Sequence, residues 1–205
     1  MLLLFDIGNT NTHVGLGNTQ RVVRQVDVPT AMWFDGRAVG LVREFIGSSK
    51  LDSVALCSVV PRATPLVRAA IPKLTLPKER LARRSTRRRT EVEFPCPLHE
   101  LTSQTLRGVG IDYPKPETIG PDRLANAIAA RHHFGAPVVV VGFGTAATFD
   151  AVDARGNYIG GMIAPGLAAM TDYLHEKTAL LPHVKIREPK SAVGRSTEQA
   201  MLAGA

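Results

Sequence analysis

Two cysteines, Cys57 and Cys96, are all that this 205-residue chain contains, and their spacing suits no metal site. A single possible pair is no disulfide framework, so the expected setting is a reducing cytoplasm. No apolar run reaches bilayer-spanning length, which excludes a transmembrane helix of the usual kind. The N-terminus has no basic segment ahead of its short apolar stretch, so Leu2 to Phe5 reads as a strand and not as a signal peptide. The pattern G-x-x-x-x-G-K-[ST] does not occur, which excludes a P-loop. Aromatic residues make up 5% of the chain, and none is interleaved in its most basic run. That run holds Arg80, Arg83, Arg84, Arg87, Arg88 and Arg89 and accounts for much of the net charge of +7. Without aromatics for base stacking, and flanked by Pro77 and the Ser85-Thr86 pair, it reads as a solvated connection and not as a nucleic-acid surface.

What is present is a globular chain. Hydrophobic residues at 44% and charged residues at 21% allow a sizeable core, and the length allows one large domain or two small ones. Strand-like segments fall at residues 2–6, 12–16, 22–26, 53–57, 138–143, 148–152 and 158–163. Helical periodicity falls at 36–46, 62–70, 121–134, 167–179 and 197–202. The mixture predicts an α/β fold with hairpins as well as crossovers. Residues 113–120 carry two prolines and a glycine before a new helix, which predicts a domain junction there, with domains at 1–117 and 118–205.

The two halves start alike. An apolar strand ends in Asp6 and passes through Ile7-Gly8-Asn9-Thr10-Asn11 into a returning strand. Such a turn suits a nucleotide: Gly8 allows close backbone approach to phosphate, Asn9, Thr10 and Asn11 supply donors, and Asp6 can hold Mg²⁺ directly or through water. In the second half, residues 138–143 lead into Gly144-Thr145-Ala146-Ala147 and another returning strand. Gly142-Phe143-Gly144-Thr145-Ala146-Ala147 also fits the G-x-G-x-x-A dinucleotide fingerprint, which makes a nicotinamide- or flavin-dependent oxidoreductase the rival reading. That fingerprint demands a helix at once. Thr148-Phe149-Asp150-Ala151-Val152 and the Asp153–Asn157 turn predict a β-hairpin instead.

Taken in order, the motifs resemble those of the type III pantothenate kinases, in the acetate kinase/sugar kinase/Hsp70/actin superfamily. The resemblance rests on Asp6-Ile7-Gly8-Asn9-Thr10-Asn11; Ser58-Val59-Val60-Pro61; Tyr113 before Pro114; and Gly120-Pro121-Asp122-Arg123. It continues through Gly144-Thr145-Ala146-Ala147-Thr148, Gly160-Gly161-Met162-Ile163-Ala164-Pro165-Gly166, Thr178-Ala179-Leu180-Leu181-Pro182 and Gly194-Arg195-Ser196-Thr197. It implies two related ribonuclease H-like (actin-like ATPase) domains with ATP between them, the second incomplete at the C-terminus.

The resemblance further implies transfer of the ATP γ-phosphoryl group to the 4′-hydroxyl of pantothenate, the first step of coenzyme A synthesis. Asp6, Ile7, Gly8, Asn9, Thr10, Asn11, Thr12 and His13 would form the first ATP loop, with Asp6 meeting the Mg²⁺ carried by ATP. Gly144 and Thr145 would form the second. Tyr113, Gly120, Pro121, Asp122, Arg123 and Thr197 would contact pantothenate, with Asp122 accepting the hydroxyl proton and Arg123 pairing with the substrate carboxylate. Pro121 suits the first position of a helix, which places Asp122 in a first turn whose dipole favours its ionised form.

A homodimer is expected from the family, with the stripe Leu167, Met170 and Leu174 as a contact. One departure concerns Gly142. The family has an aspartate there that holds a monovalent cation, K⁺ or NH₄⁺, so the resemblance implies that this site is lost or weakened. The chain also stops soon after Thr197, where family members continue. A non-catalytic relative of the same fold, akin to members described as transcriptional accessory factors, is the alternative from another functional class.

Overall fold

The computed structural model of the chain describes residues 1–75 and 96–205, so the arginine-rich run at 80–89 lies outside the described residues. The described chain forms two compact units. One comprises Met1–Arg107 with Lys115–Ala125, the other Gly108–Pro114 with Asn126–Ala205.

In the first unit, β1 (Leu2–Ile7), β2 (Asn11–Gly17) and β3 (Val22–Pro29) form an antiparallel meander. β4 (Ser53–Ser58) then lies parallel to β1, and the short β5 (Leu98–Glu100) parallel to β4, giving the order β3-β2-β1-β4-β5. Three antiparallel strands followed by parallel additions beside the first are the ribonuclease H-like arrangement expected from the sequence. The alternation along β1 explains its setting. Leu3, Phe5 and Ile7 are buried, while Leu2, Leu4 and Asp6 on the opposite face are half-buried. The buried face joins Val14, Leu16, Val54 and Leu56 from the sheet to Val42 and Ile46 of α1 (Arg37–Ile46) and Val67 and Ile71 of α2 (Thr64–Thr75) in one core. Burying a side chain of this size contributes about 1.5–3 kcal/mol, so the register of β1 is strongly held, and Asp6 with it.

The second unit repeats the opening meander with β7 (Val138–Phe143), β8 (Ala146–Val152) and β9 (Asn157–Pro165). The two-residue β6 (Gly110–Ile111) pairs in parallel with β9, so the order is β6-β9-β8-β7. Tyr158 is fully buried there and donates its hydroxyl proton to the buried Asp150 carboxylate at 3.1 Å. Helices α4 (Leu167–Lys177) and α5 (Thr197–Gly204) belong to this unit, and a small cluster of Val184, Met201 and Leu202 anchors the chain between them. Helix α3 (Pro121–Phe134) begins in the first unit and ends in the second.

Element ends moved by a few residues from the sequence reading. β3 runs on to Pro29, and α2 spans Thr64–Thr75 where 62–70 was expected. Among the described residues no helix is long and apolar enough to cross a membrane.

Candidate active site

The turn after β1 is tight. The Gly8 N–H donates to the Asn11 carbonyl at 3.0 Å, and a Cβ at Gly8 would lie 2.9 Å from that same oxygen. The residue must therefore be glycine because of packing within the turn. Its own N–H is committed inside the loop. Asn9 and Thr10 are exposed at the tip, while Asn11 is half-buried.

Strand register assembles a polar row on the half-buried face of this sheet. Cys57 pairs with Asp6, Asp6 with His13, and His13 with Asp27, across β4-β1-β2-β3. The Cys57 thiol donates to Asp6 Oδ1 at 3.3 Å. His13 Nδ1 lies 2.7 Å from Asp27 Oδ1, and this bond holds the Asp27 carboxyl below the ordinary carboxylate range. Cys57 carried no functional expectation from the sequence, because a parallel partner 51 residues away leaves no local mark.

The start of α3 is built by the same local logic. The Gly120 carbonyl accepts from Arg123 N–H at 3.0 Å and from Leu124 N–H at 3.2 Å, with Pro121 as the first helical residue. Asp122 Oδ1 accepts the Arg123 N–H at 2.8 Å. A Cβ at Gly120 would collide with Asp122 Oδ1, so the Gly-Pro-Asp order sets where the carboxylate sits.

Three of the predicted segments meet within the first unit. The Val59 N–H, just past β4, donates to the Ile7 carbonyl at 3.0 Å, and the Val59 side chain lies 3.6 Å from where a Cβ at Gly120 would stand. Ser58 fixes this crossing by accepting from Val60 N–H at 3.1 Å and from Thr64 Oγ1–H at 2.7 Å. The electrostatics report the same convergence. Burial pushes the Cys57 thiol well above its ordinary range, and the nearby charges of Asp6 and Asp122 push it further. The carboxylate of the first loop thus touches the thiol, and that of the helix start acts on it through its charge.

The remaining expected residues lie in the second unit. Gly144 and Thr145 form the exposed two-residue tip between β7 and β8. The Gly166 N–H donates to the Thr145 carbonyl at 3.2 Å, and a Cβ at Gly166 would clash with that tip, which accounts for the glycine ending the Gly160–Gly166 motif. Since β8 begins at Ala146, no helix follows the Gly-x-Gly pattern, and the dinucleotide-oxidoreductase reading falls. The Tyr113 ring packs against Tyr158 with centroids 6.2 Å apart, and Gly160, at φ +114°, leaves it room.

Ser196 caps α5 by accepting from Gln199 N–H at 3.2 Å, so Thr197 starts that helix. Thr197 lines a cavity of about 280 Å³ with Met170, Thr171, Leu174, Leu181 and Met201. Gly142 pairs with Thr148 across the hairpin, and a Cβ there would stand 3.0 Å from Thr148 Oγ1 and 3.7 Å from Asn126 Nδ2.

A site for Mg²⁺ can be tested against the donors present. Among the described residues no three acidic, histidine or cysteine side chains are grouped to hold a metal. Mg²⁺ commonly binds through one or two carboxylates together with substrate phosphates, and a single half-buried carboxylate at the loop, Asp6, fits an ion that arrives with ATP.

A family model described as type III pantothenate kinase matches residues 2–205. The type III pantothenate kinase of Akkermansia muciniphila is 40% identical over 204 residues, covering 99% of this chain and 73% of the relative. That of Methylacidiphilum infernorum is 38% identical over 204 residues, covering 100% of this chain and 65% of the relative. A solved structure described as a Baf family transcriptional activator from Campylobacter jejuni superposes with a TM-score of 0.52 at 19% identity, over 98% of this chain and 72% of that one, a likeness of fold alone. The order of motifs, the paired meanders and the match along nearly the whole chain lead to one conclusion: this chain belongs to the type III pantothenate kinase family.

Proposed function

We propose that phosphoryl transfer in this chain is centred on the first unit, where the turn after β1, the end of β4 and the start of α3 meet, with Asp122 as proton acceptor. The observation that carries this reading is the meeting of those three segments: the Val59 N–H on the Ile7 carbonyl at 3.0 Å, the Val59 side chain beside Gly120, and the Cys57 thiol on Asp6 Oδ1 at 3.3 Å. The reaction is that of the family, ATP-dependent phosphorylation of pantothenate to 4′-phosphopantothenate, which opens coenzyme A synthesis. The 4′-oxygen forms the new bond to the γ-phosphorus, the bond to the β–γ bridging oxygen breaks, and ADP leaves. The hydroxyl proton passes to Asp122.

A carboxylate in the first turn of a helix is a weak base but a well-fixed one. Phosphoryl transfer accepts this, because its loose transition state asks mainly for an oriented acceptor and for charge stabilisation. Residues 6–13 supply the first ATP loop, and Gly144 and Thr145 the second. Mg²⁺ held by Asp6 with the ATP phosphates would supply charge neutralisation at the transferring group. Arg123 suits the pantothenate carboxylate by bidentate pairing. Tyr113 and Thr197 complete the pantothenate contacts, and the apolar cavity beside Thr197 suits the hydrocarbon part of that substrate.

At Gly142 the chain offers no carboxylate, so the monovalent-cation site of the family is absent or weak here. A homodimer working in the cytoplasm completes the proposal. Tyr173 and Leu174 are exposed on α4 and available for contact. The test is ADP release in a coupled assay with and without pantothenate, with ³¹P detection of the product. Turnover that depends on pantothenate supports the proposal; ATP hydrolysis indifferent to pantothenate overturns it. Monomeric mass by light scattering at micromolar concentration would remove the dimer.

A further inference from the structure

Beneath the first loop runs a buried chain of hydrogen bonds. Thr12, Thr30 and Trp33 are 0%, 1% and 3% exposed. Trp33 Nε1–H, a donor only, gives its proton to Thr12 Oγ1 at 3.0 Å. Thr30 Oγ1–H donates to the Gly8 carbonyl at 2.7 Å. A hydroxyl carries one proton, so Thr30, having given its own to Gly8, accepts at its oxygen. The 3.1 Å contact between Thr12 Oγ1 and Thr30 Oγ1 therefore runs from Thr12 to Thr30. The chain has one direction: Trp33 to Thr12, Thr12 to Thr30, Thr30 to the loop. The Thr30 backbone N–H adds a second grip, donating to the Thr10 carbonyl at 2.9 Å. The single turn of 3-10 helix at Thr30–Trp33 sets these groups side by side.

We infer that Thr30 is a positioning residue of the phosphate loop, acting through two carbonyls to aim two amides at a nucleotide phosphate. Peptides are planar and trans, so holding the Gly8 carbonyl toward Thr30 turns the Asn9 N–H the opposite way. Holding the Thr10 carbonyl does the same for the Asn11 N–H. Two loop amides are thereby turned away from Thr30 before any ligand arrives, which is the preorganisation that anion binding rewards. Serial hydrogen bonds in a dry setting strengthen one another, so Trp33 stiffens the turn at Gly8 through Thr12 and Thr30. This inference rests on the reading of the loop as the ATP phosphate site.

The experiment uses the full chain and Mg-ATP. Trp33 is the only tryptophan, so its fluorescence reports on the network directly. Thr30→Val keeps the shape and deletes the hydroxyl; Thr30→Ser keeps the hydroxyl. The expected result is a rise of about 10-fold in both Kd and KM for ATP in Thr30→Val, in line with a lost buried hydrogen bond, with KM for pantothenate within about 2-fold. Thr30→Ser restores the ATP constants. A Thr30→Val protein that melts earlier yet binds ATP as the unmodified chain does would show a merely structural role and overturn the inference. Should Thr30→Val not fold, Trp33→Phe removes the first donor of the chain. A rise of about 2–3-fold in KM for ATP then supports the inference, and no change overturns it. Asp6→Asn separates the two claims: if it too leaves ATP binding unaltered, the loop reading itself fails. If Asp6→Asn weakens ATP and Thr30→Val does not, only the role of Thr30 fails.

Discussion

Asp122→Asn is the sharpest probe of the proposed chemistry, because the structure separates its effect on the reaction from its effect on the fold. In the native chain Oδ1 accepts the Arg123 N–H at 2.8 Å, and an asparagine amide oxygen accepts the same bond. The side chain keeps its size beside Gly120, so the helix start keeps its shape. What is lost to stability is the charge in the first turn of α3, about 0.3–1 kcal/mol. For a chain of this length that lowers Tm by about 1–4 °C. What is lost to the reaction is the carboxylate proposed to take the hydroxyl proton, and loss of acid–base assistance costs about 10²–10⁴ in rate. At about 1.4 kcal/mol per factor of ten, this is roughly 3–5 kcal/mol of barrier. The effect should fall on kcat, with KM for ATP within about 2-fold. The assay is pantothenate-dependent ADP release beside a thermal melt. Turnover within about 3-fold of the unmodified protein would falsify the base assignment and leave Asp122 as a helix-start residue.

Three further outcomes are expected. Burial and the Asp6 and Asp122 charges raise the Cys57 pKa above its ordinary 9.0, so above that pH the unfolded chain gives up this proton while the folded chain keeps it. Stability from Cys57 is therefore complete below pH 9.0 and is lost as pH rises, and the drop in Tm between pH 8.5 and 10.5 should be smaller in Cys57→Ser; an equal drop counts against it. Gly120→Ala should cut kcat at least about 10-fold by displacing the Asp122 carboxylate, with a melt close to normal, and unchanged kcat would mean the carboxylate needs no such placement. Exchanging K⁺ for Na⁺ should change native activity by less than about 2-fold. Gly142→Asp adds a carboxylate to the face that carries the buried Asp150, so it should acquire K⁺ activation and a Tm higher in K⁺ than in Na⁺; strong K⁺ activation of the native chain would contradict this.

Local patterns carried much of the site. The strand–turn–strand reading of residues 2–16 holds because alternation and turn residues act over neighbouring positions, and the structure returns β1 and β2 around the Gly8 turn. Pro121 after Gly120 marked the start of α3, and the helix runs over the expected Pro121–Phe134. The hairpin reading after Thr145 also held, since Ala146–Val152 is a strand, and with it the exclusion of a dinucleotide fold. β5 and β6 went unseen because strands of three and two residues have no periodicity to detect.

The sequence by itself determined that the chain is α/β, that two glycine turns follow two apolar strands, and that Asp6 and Asp122 stand at the end of a strand and the start of a helix. Each of those features depends on interactions within a few residues, and residue type encodes them directly. Only the tertiary structure decided that Cys57 lies against Asp6, that Val59 joins Ile7 to the Gly120 turn, and that Thr30 grips the loop at Gly8 and Thr10. These contacts come from parallel pairing of β1 with β4 and from a 3-10 turn folding back beneath β2. Their partners are distant in the chain, and the register that joins them is set by which apolar face is buried, a property of the whole sheet and not of any one segment.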